Sequence, residues 1–381
     1  MKIGSFEFSR RELAGSMGDF GTLFPLAIGY IVVNKMNPAG FLVMMGLTNI
    51  ALGLIYQIPM TLEPKKVIAA TAIAQKWPPS MIYSSGLAMG TLWLILAFTG
   101  FIERLVRITP KCVVRAIQLT LGIMLARLGY NMLRPEWIWG LVAIVIVLTL
   151  RTNKRAPAAL VLILLGLAIV AYRGQLLGNL HLSLTLPPFT LPSLRDIYQA
   201  MILAGIAQIP LTLTNACIAT CALLRDYFPD RPATERRLLI NMGVMNVLAS
   251  FVGGMPMCHG SGGLAGQYYF GARTGGAPIM EGLMEIGLGI FLASSIADLL
   301  RAFPMGILGG MMILVGIELA KFTLDVQRRE MGFVALTTGL SLLTNMGLGF
   351  LAGTLAYHLW GWFSTRRRGE ELRAGETGQQ G

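Results

Sequence analysis

Long apolar segments, about 15 to 25 residues each, follow one another along nearly the whole chain, separated by short charged or Gly/Pro-bearing stretches. They fall near 16–33, 39–57, 64–75, 81–101, 112–130, 136–150, 156–172, 198–223, 237–253, 262–272, 278–296, 305–320, 331–345 and 347–363. Inside hydrocarbon a chain must satisfy its own N–H and C=O groups, and segments of this length do so as helices. The expectation is an all-α polytopic membrane protein with about fourteen segments. Two of these, 64–75 and 262–272, are too short to cross a core of about 30 Å as helices; they read as half-helices, the third and the tenth. The last two are also short and read as bent or incomplete spans. A soluble fold is excluded, because charged residues make up only 13% of the chain against about 25% in soluble domains.

The net charge of +12 does not mark a nucleic-acid partner, because the cations sit in clusters between apolar runs rather than on one face. With the N-terminus in the cytoplasm, 21 Lys and Arg fall in inner loops and 6 in outer ones. Such a bias predicts both termini inside, in an inner or plasma membrane. Arg10 and Arg11 precede a Gly-rich stretch, so no cleavable leader is expected. Cys112, Cys217, Cys221 and Cys258 form no CxxC pair, and neither disulfide, metal nor cofactor is expected.

Met45, Gly46, Asn49, Pro59 and Met60 recur 197 positions later as Met242, Gly243, Asn246, Pro256 and Met257. Leu105, Arg107, Pro110, Gly122 and Ile123 recur 194 positions later as Leu299, Arg301, Pro304, Gly316 and Ile317. Seven segments per half reverse the direction of the second, so Arg107 falls inside and Arg301 outside. The expected organisation is an inverted repeat: 1–172, an outer connector 173–197, 198–363, and a cytoplasmic tail 364–381.

The paired short segments carry the chemistry. The first runs from Gln57 through Pro59, Glu63 and Pro64 to Lys65 and Lys66; the second runs from Gly253 through Pro256, Cys258 and His259 to Gly260-Ser261-Gly262-Gly263. Proline blocks helix there, so each stretch is expected to enter the membrane extended and then start a half-helix. Pro64 suits the first turn of one and Ser261 the N-cap of the other. Two facing helix N-termini make an anion site of free N–H groups and positive dipole ends. Lys65 or Lys66 adds a charge, unless both snorkel to an interface.

Glu63 reads either as a charge-balancing partner of the lysines or as a coupling carboxylate. Asp19, in Gly18-Asp19-Phe20-Gly21-Thr22, either caps its helix or reaches the site. Gln208, Thr212, Thr214 and Asn215 form a polar stripe that either lines the cavity or glues helices together. Glu281 and Glu285 are expected to face water.

Gly18 to Thr22, the Pro64–Ala70 stretch, Cys258 to Tyr268 and Phe270 to Gly275 resemble the molybdate transporter family, a branch of the sulfate-permease-like anion transporters. The resemblance spans most of 10–363. It implies a seven-plus-seven fold with a core (segments 1–4 and 8–11), a gate (5–7 and 12–14) and substrate between the third and tenth helices. It also implies a secondary transporter of a tetrahedral oxyanion, molybdate first and sulfate second, working by elevator-like alternating access. The expected substrate residues are Thr22, Glu63, Pro64, Lys65, Lys66, Asn215, Gly260, Ser261, Gly262 and Gly263. Asp19 and Glu63 are the coupling candidates, for a proton or sodium, and a homodimer is left open. Glu63 departs from the family pattern, which has Gln there. The rivals are a nucleobase or other anion symporter of the same fold, an anion channel, and a membrane enzyme. The enzyme reading lacks a nucleophile–base pair or a metal cluster within the spans.

Overall fold

Helix starts follow the local chemistry of the chain. Ser9 caps α1 (Arg10–Val33) by accepting from the Glu12 amide at 3.3 Å. Asn37 caps α2 (Pro38–Tyr56) by accepting from Ala39 and Gly40 at 2.9 and 3.1 Å, with Pro38 at the first helical position. Thr234 caps α9 (Glu235–Phe251) in the same way. The computed structural model describes residues 2–100, 104, 108–150, 158–178 and 180–378. Leu105 and Arg107 of the repeat pattern, and the inner-loop cations Arg151, Lys154 and Arg155, lie outside the described residues.

A short hairpin of β1 (Lys2–Ile3) and β2 (Phe6–Glu7) precedes α1. After α2 come β3 (Glu63–Pro64), α3 (Lys66–Gln75), α4 (Pro79–Thr99), α5 (Lys111–Leu133), α6 (Trp137–Leu150) and α7 (Ala158–Tyr172). The second half contains α8 (Leu194–Tyr227), α9 (Glu235–Phe251), β4 (Met257–Cys258), α10 (Ser261–Phe270), α11 (Gly276–Phe291), α12 (Ala293–Ala302), α13 (Met305–Lys321), α14 (Met331–Leu343) and α15 (Met346–Gly378). Among the described residues, six helical stretches are long and apolar enough to cross a membrane, or seven if α11 and α12 count as one span. The protein is thus a helical membrane protein, and its outer helix faces expose large apolar side chains such as Ile95, Phe98, Leu148 and Leu355.

Three expectations need correction. The segment 278–296 is not one helix: it bends by 92° between α11 and α12. The reason lies in the connector, whose Ser183 and Thr185 amides donate to the Phe291 and Ile290 carbonyls at 3.1 and 2.8 Å. Those carbonyls would otherwise have served the next helical turn. The helix of the last segment does not stop near 363 either, because the α15 backbone continues as helix to Gly378. Glu281 and Glu285 do not face water; they are 3% and 6% exposed, and Glu285 accepts from Asn49 on α2 at 2.9 Å.

Among the described residues, helix pairs from opposite halves make the most extensive crossings, α5 with α13, α2 with α11 and α4 with α9. Glycine permits each approach. A Cβ at Gly46 would lie 2.5 Å from the Gly282 carbonyl oxygen, one at Gly122 2.5 Å from that of Gly316, and one at Gly90 2.8 Å from that of Gly243. On α11 the contrast is sharp, since a Cβ at Gly287 would meet nothing within 4 Å. Gly282→Val is therefore expected to lower unfolding stability by about 1–3 kcal/mol, whereas Gly287→Val leaves it nearly unchanged. Thermal melting of the two variants in detergent measures the difference.

Candidate functional site

The two proline-bearing stretches after α2 and α9 meet in the interior as a two-residue antiparallel ribbon, with Glu63 opposite Cys258 and Pro64 opposite Met257. Main-chain polar groups at this depth need partners, and several are supplied from across the two halves. The Lys65 amide donates to the Pro256 carbonyl at 2.9 Å. The Thr61 hydroxyl donates to the Gly260 carbonyl at 2.9 Å, and the Gly260 amide donates back to that hydroxyl at 3.2 Å. Asn246 of α9 secures the other edge, donating to the Met257 carbonyl at 2.7 Å and accepting from the Met257 amide at 2.8 Å.

α3 and α10 leave this ribbon, and neither has a side-chain cap from its own N-cap residue. Ser261 is not the N-cap of α10. Gly260 holds that place with extended backbone, and Ser261, the first helical residue, donates to the Asn215 side-chain oxygen at 2.6 Å. Pro64 likewise sits in the ribbon rather than in the first turn of α3. The start of α3 is served from outside: Gln208 of α8 accepts from the Val67 and Ile68 amides at 2.9 and 3.4 Å and donates to Thr212 at 2.9 Å. In the described structure the polar stripe of α8 therefore does both jobs, capping through Gln208 and lining the cavity through Thr214 and Asn215.

Charge is arranged around the α10 start. The Glu63 carboxylate lies against Gly260 and Gly263, so close that a Cβ at Gly263 would sit 2.5 Å from Oε1. An anion there is favoured by the positive end of α10. Lys66 pairs with Glu63 at 2.8 Å. Asp19 approaches the same glycine, its Cβ 3.1 Å from that point, and both its oxygens are buried without a hydrogen-bond partner. The approach is permitted by Gly18 and Gly266, where the 3-10 turn of α1 at Met17–Asp19 touches the α10 backbone.

A cavity of about 450 Å³ opens between α3, α8 and α10 on one side and α5 and α13 on the other. Lys66, Asn215, Ser261 and Gly262 line it. Glu63 lies behind Lys66, on a separate small pocket shared with Gln208 and Thr212. Lys65 points elsewhere: it is fully buried, its Nζ 5.2 Å from the centre of the Trp93 ring. Gly260 and Gly263 enclose Glu63, Pro64 belongs to the ribbon, and Thr22 is half-buried on α1. The opposite wall, including Lys111, Arg115 and Gln118 of α5, went unnoticed in the sequence. These residues carry no motif, and Lys111 read only as an inner-loop cation.

A family model described as "Molybdate transporter of MFS superfamily" matches residues 11–125 and 200–319. Molybdate transporters 1 and 2 of Arabidopsis thaliana are 29% and 32% identical to this chain, over 92% and 91% of it and 88% and 86% of their own lengths. Molybdate transporter 1 of Chlamydomonas reinhardtii is 28% identical, over 90% of this chain and 89% of its own. Among solved structures, the transmembrane domain of the cyanobacterium bicarbonate transporter BicA superposes with a TM-score of 0.64 at 16% identity, covering 91% of this chain and 95% of that one. The murine Solute Carrier 26 family member A9 anion transporter, inward-facing, gives 0.68 at 13% identity, covering 96% and 70%. At such identities these two structures speak to the fold alone.

The ribbon generates a stability prediction. Asn246→Leu strips the Met257 amide and carbonyl of their partners in an apolar interior, a loss expected to cost about 2–4 kcal/mol. A lowered melting temperature in detergent, with poor recovery of folded protein, is the expected outcome.

Proposed function

This chain belongs to the molybdate transporter family, and on that premise we propose that it carries molybdate, with sulfate as the second candidate, by alternating access. The observation that carries the reading is the cavity, which has half-helix N-termini and Lys66 on one wall and α5 and α13 on the other. A tetrahedral dianion suits such a place, because the α10 start, a hydroxyl and an ammonium bring donors to it from one wall. In this reading Ser261, its hydroxyl turning from Asn215 to the anion, and the Gly262 side of the α10 start hold the oxyanion, and Lys66 supplies charge.

Glu63 then has a defined part. It holds Lys66 at 2.8 Å, and in this reading it is the first coupling carboxylate, joining the coupling ion to the oxyanion that Lys66 helps to bind. Asp19, beside the same glycine, is the second coupling carboxylate, and sodium at this pair is the alternative coupling ion.

The wider architecture in this proposal is an inverted repeat of 1–172 and 198–363 with both termini in the cytoplasm. It is supported by the reciprocal packing of α2 on α11 and α9 on α4, and by the occurrence of Gly46 and Gly243, 197 positions apart, at those two crossings. The distribution of cations supports the orientation. The core that moves comprises α1–α4 and α8–α12, and the gate comprises α5–α7 and α13–α15.

Uptake of labelled molybdate and sulfate into proteoliposomes, with and without an inward proton gradient, tests substrate and coupling together. A Cβ at Gly262 meets nothing within 4 Å, so Gly262→Val is expected to fold normally, project into the cavity and abolish uptake. Ser261→Ala removes one donor and is expected to weaken affinity by about 5- to 30-fold. Wild-type uptake by Gly262→Val would place the substrate elsewhere.

The lysines divide in the same assay. Lys66→Met is expected to weaken oxyanion binding, while Lys65→Met, which faces Trp93, acts through stability and not through affinity. Equal affinity losses in the two variants would contradict the assignment.

A further inference from the structure

The rim of the cavity holds a charge arrangement that the half-helix ends do not use. Lys111 opens α5 and Arg115 lies one turn on, both on the wall opposite Lys66. Asp325, in the 3-10 turn Phe322–Asp325 after α13, takes both of them. Arg115 Nε and Nη2 donate to the two Asp325 oxygens at 3.1 and 2.8 Å, and Lys111 Nζ lies 2.9 Å from Oδ2. The remaining Arg115 contacts hold the fork in place: Nη1 donates to Gln118 at 2.9 Å, and the guanidinium lies 4.9 Å from the centre of the Phe322 ring.

Two cations thus share one carboxylate, leaving a surplus positive charge. Side-chain exposure grades the depth: Lys111 is 66% and Asp325 42% exposed, against 21% for Arg115 and 17% for Lys66. The cavity of about 450 Å³ is far larger than the space that one water molecule needs, so a hydrated oxyanion has room at more than one position.

We propose that Lys111 and Arg115 form a second oxyanion station on the gate wall, and that Asp325 is a tethered carboxylate competing with the travelling anion for it. The inference rests on the oxyanion reading above. A carboxylate and a tetrahedral oxyanion each present two oxygens to a guanidinium fork, so the anion can take the Asp325 position with the same geometry. Gln118 and Phe322 keep Arg115 aimed while the exchange takes place. When the anion leaves, Asp325 returns to the fork and discourages recapture. Asp325 thereby sets the affinity of the open cavity without lying at the half-helix site.

The test is equilibrium binding of molybdate to the purified full chain in detergent, with sulfate as competitor. Asp325→Asn removes the competitor and is expected to tighten binding by about fivefold, and Arg115→Gln to weaken it by about as much. Opposite directions separate this from misfolding, which weakens both. Raising the ionic strength is expected to shrink the gap between the variants. Asp298→Asn, which breaks the exposed Asp298–Arg301 pair away from the cavity, is expected to change nothing. Binding unchanged or weakened by Asp325→Asn, or tightened equally by Asp298→Asn, overturns the proposal while leaving the substrate reading intact. A parent protein that binds neither oxyanion overturns both.

Discussion

Everything at the centre of this protein depends on the pairing of main-chain groups where no water is at hand. Proline forbids helix at two places deep in the fold, and extended backbone there exposes donors and acceptors that hydrocarbon cannot satisfy. The two stretches satisfy one another through the Glu63–Cys258 and Pro64–Met257 register, the Lys65 amide on Pro256, and the Thr61 hydroxyl on Gly260. Because each stretch comes from a different half of the chain, neither is complete without the other. The ribbon sets α3 and α10 side by side and leaves their N-termini as the polar floor of a cavity.

The second consequence is electrostatic. Positive helix ends in a low-dielectric interior attract negative charge, and the chain supplies some of its own. Glu63 occupies the start of α10, Lys66 compensates it, and Asp19 stands next to the same glycine with unpartnered oxygens. Buried carboxylates of this kind are costly unless paired or protonated. They lie beside a cavity lined by Lys66, Lys111 and Arg115. At the rim the same logic recurs, with Asp325 against two cations.

The close crossings of α2 with α11, α4 with α9 and α5 with α13 supply the rigid frame. Lipid offers no hydrophobic drive between helices, so backbone-to-backbone approach at glycine takes over the work of association. Where a glycine has no neighbour, as at Gly262, the missing side chain instead leaves open volume. The same residue type therefore has opposite meanings at Gly282 and at Gly262, and only the surroundings tell them apart.

Hydropathy and punctuation were legible in the chain because each depends on residues near one another. Segment length and sparse charge dictated helices in a membrane; Pro59, Pro64 and Pro256 marked the extended stretches; the block from Cys258 to Gly275 marked the family. Lys66, Ser261, Gly262 and Asn215 were among the expected residues and do line one cavity. What the chain did not disclose were contacts between distant segments. The choice between Lys65 and Lys66 turned on which side of α3 faces Trp93. The role of Gln208 turned on α8 lying against the α3 start, and the bend after α11 on a connector that takes its last carbonyls. Glu281 and Glu285 looked like surface residues because one turn of spacing says nothing about which face is covered; α2 covers it. Local composition determines which groups need a partner, and only the packing of remote segments decides which partner they find.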